Sequence, residues 1–326
     1  MFRSHPIKTL SLSVLTAIIS ATSVAEGNAE DIAEGNAENN AVKQAHSLDY
    51  DISFDLEVGT IYDSHLSIEE IDRNTDKGDS ALYYQGALKG ELKPVEKLLL
   101  TADYQYSSKA YQDIDEFDQT LGILNLDGSY QFDWLTLGIN AIDVNADLSE
   151  EPFLTLTQQG LYVSKLFNNR YFIRLAKNNA DKRFEQQIDR NAEVNEFNAG
   201  FFLFFDNAQQ FIHIGYTDKF ENASADEFDY DSYQLALKYS KKFQLFSQKG
   251  QWKAGVRRTV KDYRNDSSII DEPRQDKRNV AEIEVELGLM NKVSLMTKLE
   301  LLDNQSNLES QDYQSEQVSV LLKVDF

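Results

Sequence analysis

This chain of 326 residues has no cysteine, only 4 histidines and, beyond its N-terminus, no long apolar run. The missing cysteine excludes a disulfide framework and a thiolate metal site. A bundle of membrane helices needs stretches of roughly 20 apolar residues, and their absence excludes that class. Positive charge is also scarce: 32 basic side chains face 54 acidic ones, for a formal charge of -22. A surface this acidic repels phosphates, which removes nucleic acid from the partners to consider. What the chain does contain is 19 phenylalanines and 16 tyrosines, far more than a chain unable to bury itself would carry.

Residues 1–25 have the three parts of a secretory signal peptide. Arg3 and Lys8 give a positive start, residues 10–20 an apolar centre, and Ser23-Val24-Ala25 the small residues that a signal peptidase reads. The apolar centre is too short for a membrane anchor. No cysteine follows it to carry a lipid, and a cysteine-free chain suits an oxidising periplasm. Residues 26–47 contain a tandem repeat, AEGNAEDI then AEGNAENN, and are acidic and nearly free of large apolar side chains. That composition predicts a disordered acidic periplasmic spacer.

From residue 48 the hydrophobic period is two. Tyr50, Ile52, Phe54, Leu56 and Val58 alternate with Asp51, Ser53, Asp55 and Glu57. Ala281, Ile283, Val285 and Leu287 alternate with Glu282, Glu284 and Glu286; Val293, Leu295, Leu299 and Leu301 share a phase opposite Ser294, Lys298 and Glu300. Successive side chains of a strand point to opposite faces, so these are strands with one apolar and one polar face.

The connections separate a soluble sandwich from a membrane barrel. Short links near 93–94, 132–134, 167–169, 206–208, 247–250 and 291–292 alternate with long acidic links near 61–79, 108–118, 145–151, 179–191, 219–229, 263–276 and 303–312. Periplasmic turns alternating with extracellular loops is the layout of outer-membrane barrels. The count predicts an all-β, antiparallel up-and-down transmembrane barrel over 48–326, of about 14 strands (range 12–16), with both ends in the periplasm. The apolar phase slips near Gln158-Gln159, where a bulge is expected. An unpaired backbone group in hydrocarbon costs several kcal/mol, so the first strand must pair with the last. Phe132, Trp134, Phe167, Tyr171, Phe205 and Trp252 flank the short links, as an interfacial aromatic belt requires.

The opposite phase defines candidate lumen-facing residues: Asp51, Asp55, Glu57, His213, Lys238, Lys253, Arg257, Lys261, Glu282, Glu284, Glu286, Lys298, Glu300 and Lys323. Lys253, Arg257 and Lys261 on one strand face Glu282, Glu284 and Glu286 on the next. Such cross-strand pairs contribute roughly 0.2–1 kcal/mol each. Two readings stand side by side, a polar channel with a transverse field and a charge ladder that fills a narrow barrel. At 14 strands, between barrels that fill with side chains and wider aqueous porins, conduction depends on whether loops or the spacer fold inward.

Little else suggests chemistry. His5 lies in the signal, His46 in the spacer, His65 in the first loop, and His213 faces the lumen without a nucleophile motif beside it, so no catalytic residue and no enzyme is expected. The clusters Asp113, Asp115, Glu116, Asp118 and Asp226, Glu227, Asp229, Asp231 lack the pattern of a dedicated calcium loop. No cofactor and no dedicated metal is predicted; loose Ca²⁺ or Mg²⁺, shared with lipopolysaccharide phosphates, is the most these loops would hold.

Two stretches carry resemblances. Val318, Val320, Leu322 and Val324 share one phase up to the C-terminal Phe326, which resembles the signal by which Gram-negative outer-membrane barrels are recognised by their assembly machinery. Gly59-Thr60-Ile61-Tyr62-Asp63-Ser64-His65 resembles a G-x-x-Y-D-S-N motif that follows the first strand in several such barrels, among them the barrel domain of surface lipoprotein assembly modifiers. Here His65 stands where Asn is usual, and no tetratricopeptide domain precedes the barrel. The resemblance implies handling of a substrate across the outer membrane without naming it. The expected function is a channel or translocation pore for solutes, oligosaccharide or a partner protein. The alternative is a non-conducting barrel that binds surfaces through its acidic loops. The acidic excess predicts weak cation selectivity.

Overall fold

The structure, a computed structural model, describes residues 49–326; the expected signal peptide and spacer lie outside the described residues. The strands are β1 (Asp49–Asp63), β2 (Leu66–Ile68), β3 (Arg73–Thr75), β4 (Asp79–Val95), β5 (Leu98–Tyr111), β6 (Gln119–Gln131), β7 (Thr136–Leu148), β8 (Glu151–Phe167), β9 (Tyr171–Phe184), β10 (Ala192–Phe205), β11 (Gln210–Ala223), β12 (Tyr230–Leu245), β13 (Gln248–Asp266), β14 (Pro273–Met290), β15 (Val293–Ser306) and β16 (Tyr313–Asp325). All but β2 and β3 form one closed antiparallel barrel in which each strand pairs with its chain neighbours and β1 closes on β16. That is the 14-strand up-and-down barrel the periodicity predicts. β2 and β3 form a small hairpin inside the first long loop, L1 (64–78).

Closure runs from Asp55 opposite Asp325 to Asp63 opposite Gln317. Phe326 N–H donates to Phe54 O at 2.9 Å, and the two rings lie 5.4 Å apart. Gly59 sits against this seam, where a Cβ would overlap Val320 O and the Leu321 Cα. The close approach of β1 and β16 therefore requires glycine there.

The alternation reads directly in the burial. On β1, Ile52, Leu56 and Val58 are exposed outward, while Ser53, Glu57, Ile61 and Asp63 are buried inside. Turns at one end are tight. Asn168-Asn169, Asp206-Asn207 and Phe246-Ser247 all have positive φ, the backbone twist that a short hairpin needs.

Two expectations are corrected. The link near 145–151 is no long loop: β7 and β8 join through Ser149-Glu150 alone, both at positive φ. The bulge is not at Gln158-Gln159, since β8 pairs with β9 without a shift from Leu154 to Phe167. It lies opposite Ala146 and Asp147, where Phe153 is the extra residue between Pro152 and Leu154. The apolar phase changes near 158 because Leu154 and Leu156 point inward near the loop end of β8, whereas Leu161 and Val163 point outward nearer its turn end. Besides the expected belt positions, other aromatic rings beside a short turn form a core. Phe172, Phe202, Phe204 and Phe211 cluster inside the barrel next to the 205–210 turn.

Candidate functional site: the lumen and its inserted loop

All 14 candidate lumen residues lie on inward faces, from Asp51, Asp55 and Glu57 on β1 to Lys323 on β16. Near the turn end they form a cross-strand charge network. Lys253 Nζ is 3.4 Å from Glu284 and Lys238 Nζ 3.9 Å from Glu282. Lys298 Nζ lies 3.0 Å from both Glu282 and Glu300. Ser294 Oγ donates to Glu286, Lys323 stands opposite Glu57, and Arg257 stands opposite Val280. His213 is buried with its ring stacked on Phe202, centroids 4.2 Å apart. Lys261 leaves the ladder altogether and binds L1.

At mid-height a belt of polar side chains, mostly amides and hydroxyls around Glu196, circles half the wall. Asn178 and Asn198 both donate to Glu196 Oε1, at 3.2 and 2.6 Å. Thr217 donates to Asn198 Oδ1 at 2.7 Å, and Thr259 to Gln234 Oε1 at 3.1 Å. Gly160 keeps the belt open, since a Cβ would overlap Asn140 Oδ1 and Asn178 Oδ1. Asn125 Oδ1, Asn140 Oδ1, Gln158 Nε2 and Asn178 Oδ1 are buried without a hydrogen-bond partner among the described residues. Such groups cost about 1–3 kcal/mol each unless something polar meets them, so the belt suits water or a hydroxyl-bearing solute.

Near the loop end the lumen is occupied by L1. The G-x-x-Y-D-S-H stretch sends it inward. Asp63 accepts from Tyr111 OH and from Gln317 Nε2, each at 2.5 Å. Ser64 exchanges two bonds with Glu316: its N–H donates to Glu316 O at 2.9 Å, and its Oγ accepts from Glu316 N at 2.8 Å. The His65 ring stacks on Tyr313 at 4.3 Å. Beyond that hinge, Leu66 and Ile68 bury against Ile142, Val144, Leu154 and Leu156 on one wall. The acidic residues that follow face the other wall.

Glu69 accepts from Lys261 Nζ at 2.6 Å and from Arg278. Asp72 is forked between Arg274, at 2.9 Å, and Arg190, at 2.5 Å. Arg190 also donates to Glu70 O, while Glu70 Oε1 is buried with no hydrogen-bond partner among the described residues. Burial alone would raise the Glu69 carboxyl, but Arg278 and Lys261 outweigh it and hold its pKa at about 2. For Asp72 burial again pushes up, and Arg274 and Arg190 prevail, lowering it. Glu70 is pushed up, by burial first and then by Glu69.

Sequence reasoning gave L1 only as a long link and missed Glu69, Glu70, Asp72, Arg190, Arg274 and Arg278. The available signal was Leu66, Ile68 and Ile71, apolar at short spacing inside an otherwise acidic loop. The acidic loop clusters do not converge: Glu116 pairs with Arg73, Asp118 accepts from Tyr111 N, and Asp229 takes Ala223 N and Arg264.

No family model matches this chain, and no curated protein matches it. Among solved structures it is similar to OmpT, an outer membrane protein of Vibrio cholerae in a trimer form, with TM-score 0.53, 7% identity, and coverage of 86% of this chain and 100% of that one. It is also similar to an anion-selective porin from Comamonas acidovorans, with TM-score 0.51, 10% identity and coverage of 86% and 100%. At such identities the likeness is one of fold: the chain is built as outer-membrane β-barrels are.

Proposed function

We propose that this chain is an outer-membrane channel for polar solutes whose resting state is closed by L1. The observation that carries the reading is the way L1 is held. Beyond its hinge it sits in the lumen through side-chain ion pairs, a few hydrogen bonds that each involve a side chain, and the burial of Leu66 and Ile68, not through strand pairing with the wall, and so it can leave without breaking the barrel. The polar belt beneath it offers hydrogen bonds to a passing solute. In this reading the outer membrane, its lipopolysaccharide and loosely shared divalent cations surround the barrel. The assembly machinery reads the strand that ends in Val320, Leu322, Val324 and Phe326. The likeness to surface lipoprotein assembly modifiers rests on Gly59–His65 alone and supplies no cargo.

A second reading, a non-conducting barrel that binds through its loops, is favoured by the interlocked loop end. There Arg73 pairs with Glu116 at 2.8 Å, Asn74 donates to Ser310 O at 2.7 Å and Ser268 N donates to Glu227 at 2.9 Å. Planar-bilayer recording separates the two. The channel reading expects brief discrete openings of the wild type, and an open-to-closed ratio raised about tenfold or more in Glu69→Gln/Asp72→Asn, the change that roughly 1.4 kcal/mol lost from the latch produces. Silence from both proteins, with the barrel folded, supports the second reading.

A further inference from the structure

We propose that the space L1 fills is a binding site for a solute bearing two carboxylates, and that Glu69 and Asp72 occupy it in the closed state as a tethered stand-in for that solute. The inference rests on the channel reading and names its substrate class.

The cations are arranged around the two carboxylates as two separate clamps. Lys261 and Arg278 hold Glu69; Arg274 and Arg190 hold the two oxygens of Asp72. Among the described residues, Lys261, Arg278 and Arg190 form ion pairs with these loop carboxylates only, so withdrawal of L1 leaves three buried or half-buried cations without an ion pair, with Glu300 near Arg278 and Glu227 near Arg190 as longer-range carboxylates. The neighbouring cations Lys182 and Lys219 differ, since both are already paired with Glu221 of the wall.

Groups outside L1 also brace three of the four cations. Asp276 takes Arg274 through two bonds, at 2.9 and 2.7 Å. Arg274 stacks over the Tyr263 ring at 4.9 Å, Lys261 over Tyr230 at 5.3 Å and Arg190 over Phe228 at 4.0 Å. Paired guanidinium forks recognise planar oxyanions by geometry as well as charge. Donors already held in place lose little freedom when a ligand arrives. The acidic excess of the whole chain predicts cation preference, but at this depth the exposed wall would carry the opposite sign.

A short tether gives L1 an effective concentration of roughly millimolar order, so a competing solute acts in that range. The test uses citrate as the anionic probe and maltotriose as the neutral one, added to the loop side of a bilayer holding the full barrel. Citrate is expected to lengthen wild-type openings and maltotriose to leave them unchanged. In Glu69→Gln/Asp72→Asn the reversal potential is expected to favour anions, and citrate to reduce the current by occupying the clamps. Adding Lys261→Gln/Arg278→Gln to that variant is expected to abolish the citrate block and the anion preference. A cation-selective loop-freed pore, or equal responses to citrate and maltotriose, overturns the proposal while leaving the channel reading intact. If no variant conducts, the channel reading fails instead. Calorimetry of citrate on the detergent-solubilised Glu69→Gln/Asp72→Asn barrel then decides the site alone: at least tenfold weakening by Lys261→Gln/Arg278→Gln supports it, and equal or absent heats refute it.

Discussion

The two ends of β7–β9 obey opposite rules. Near the turns, Leu137, Ile139, Leu161, Ile173 and Leu175 face outward, and Asn140 and Arg174 face inward. Toward the loops the pattern inverts. Asp143, Asn145, Thr155, Thr157 and Asn179 face outward, while Ile142, Val144, Leu156, Ala180 and Phe184 are buried inside. The same strands thus serve two solvents, hydrocarbon outside at one end and water outside at the other. In the watery half the barrel behaves as a soluble one, with an apolar core that Leu66 and Ile68 of L1 complete. On β14 only the outer face changes: Ile283, Val285 and Leu289 face out near the turn and Gln275, Lys277 and Asn279 toward the loop, while the inner face stays charged from Glu282, Glu284 and Glu286 to Arg274, Asp276 and Arg278.

This contrast can be broken by substitution. The largest expected effect is Leu156→Ala, in the apolar core of the loop half. It should cost about 2–5 kcal/mol, a buried-leucine truncation, measured as a lowered denaturant midpoint of the folded barrel. A cost near zero would show that this half has no packed core. Next come two arginines placed on outward faces. Val285→Arg lies in the apolar band and should cost roughly 2–4 kcal/mol in lipid, whereas Thr157→Arg, outward in the polar half, should cost about 0–0.5 kcal/mol. Equal costs would erase the proposed boundary.

The smallest effect is a pH response of the latch between the halves. The raised Glu70 pKa means that its protonated form favours closure. Its contribution is complete below the unfolded value of 4.5 and is lost as pH rises through the raised value. Glu69 and Asp72, both lowered, act in the other sense: their contributions are present above their unfolded values and lost only as pH falls through the lowered ones, about 2 for Glu69. The open fraction should therefore fall as acidification carries the pH down through the raised Glu70 value, and Glu70→Gln should flatten that slope. An unaltered slope in the variant would assign the response to another group.

The strand number, the closure of β1 on β16 and the inward phase of the charged ladder were legible because lipid imposes a strict period of two wherever it touches the wall. That period places Lys253 and Glu284 on the inner face, and the register of the folded barrel then sets them opposite each other. The reading lost its footing where lipid ends. Leu154 and Leu156 reverse face without any break in register, and no one-dimensional pattern separates that from a bulge. The run Phe201 to Phe205 is apolar on both faces, so its inward rings were invisible. Most of the loop site is a matter of long-range contact: Glu69 meets Arg278 across 209 positions of sequence, and only the folded barrel brings them together.

The hairpin of β2 and β3 inside L1 pairs Leu66 with Thr75, Ser67 with Asn74 and Ile68 with Arg73. These bonds are internal to the loop, so leaving the lumen does not by itself break them. In the proposed channel the segment would swing on Ser64 as a preshaped bolt, not as a string that must melt and refold, and each closing stroke would order few new backbone angles. Such a device would cycle on the microsecond-to-millisecond scale of hinged lids, a tempo that single-channel traces resolve as flicker.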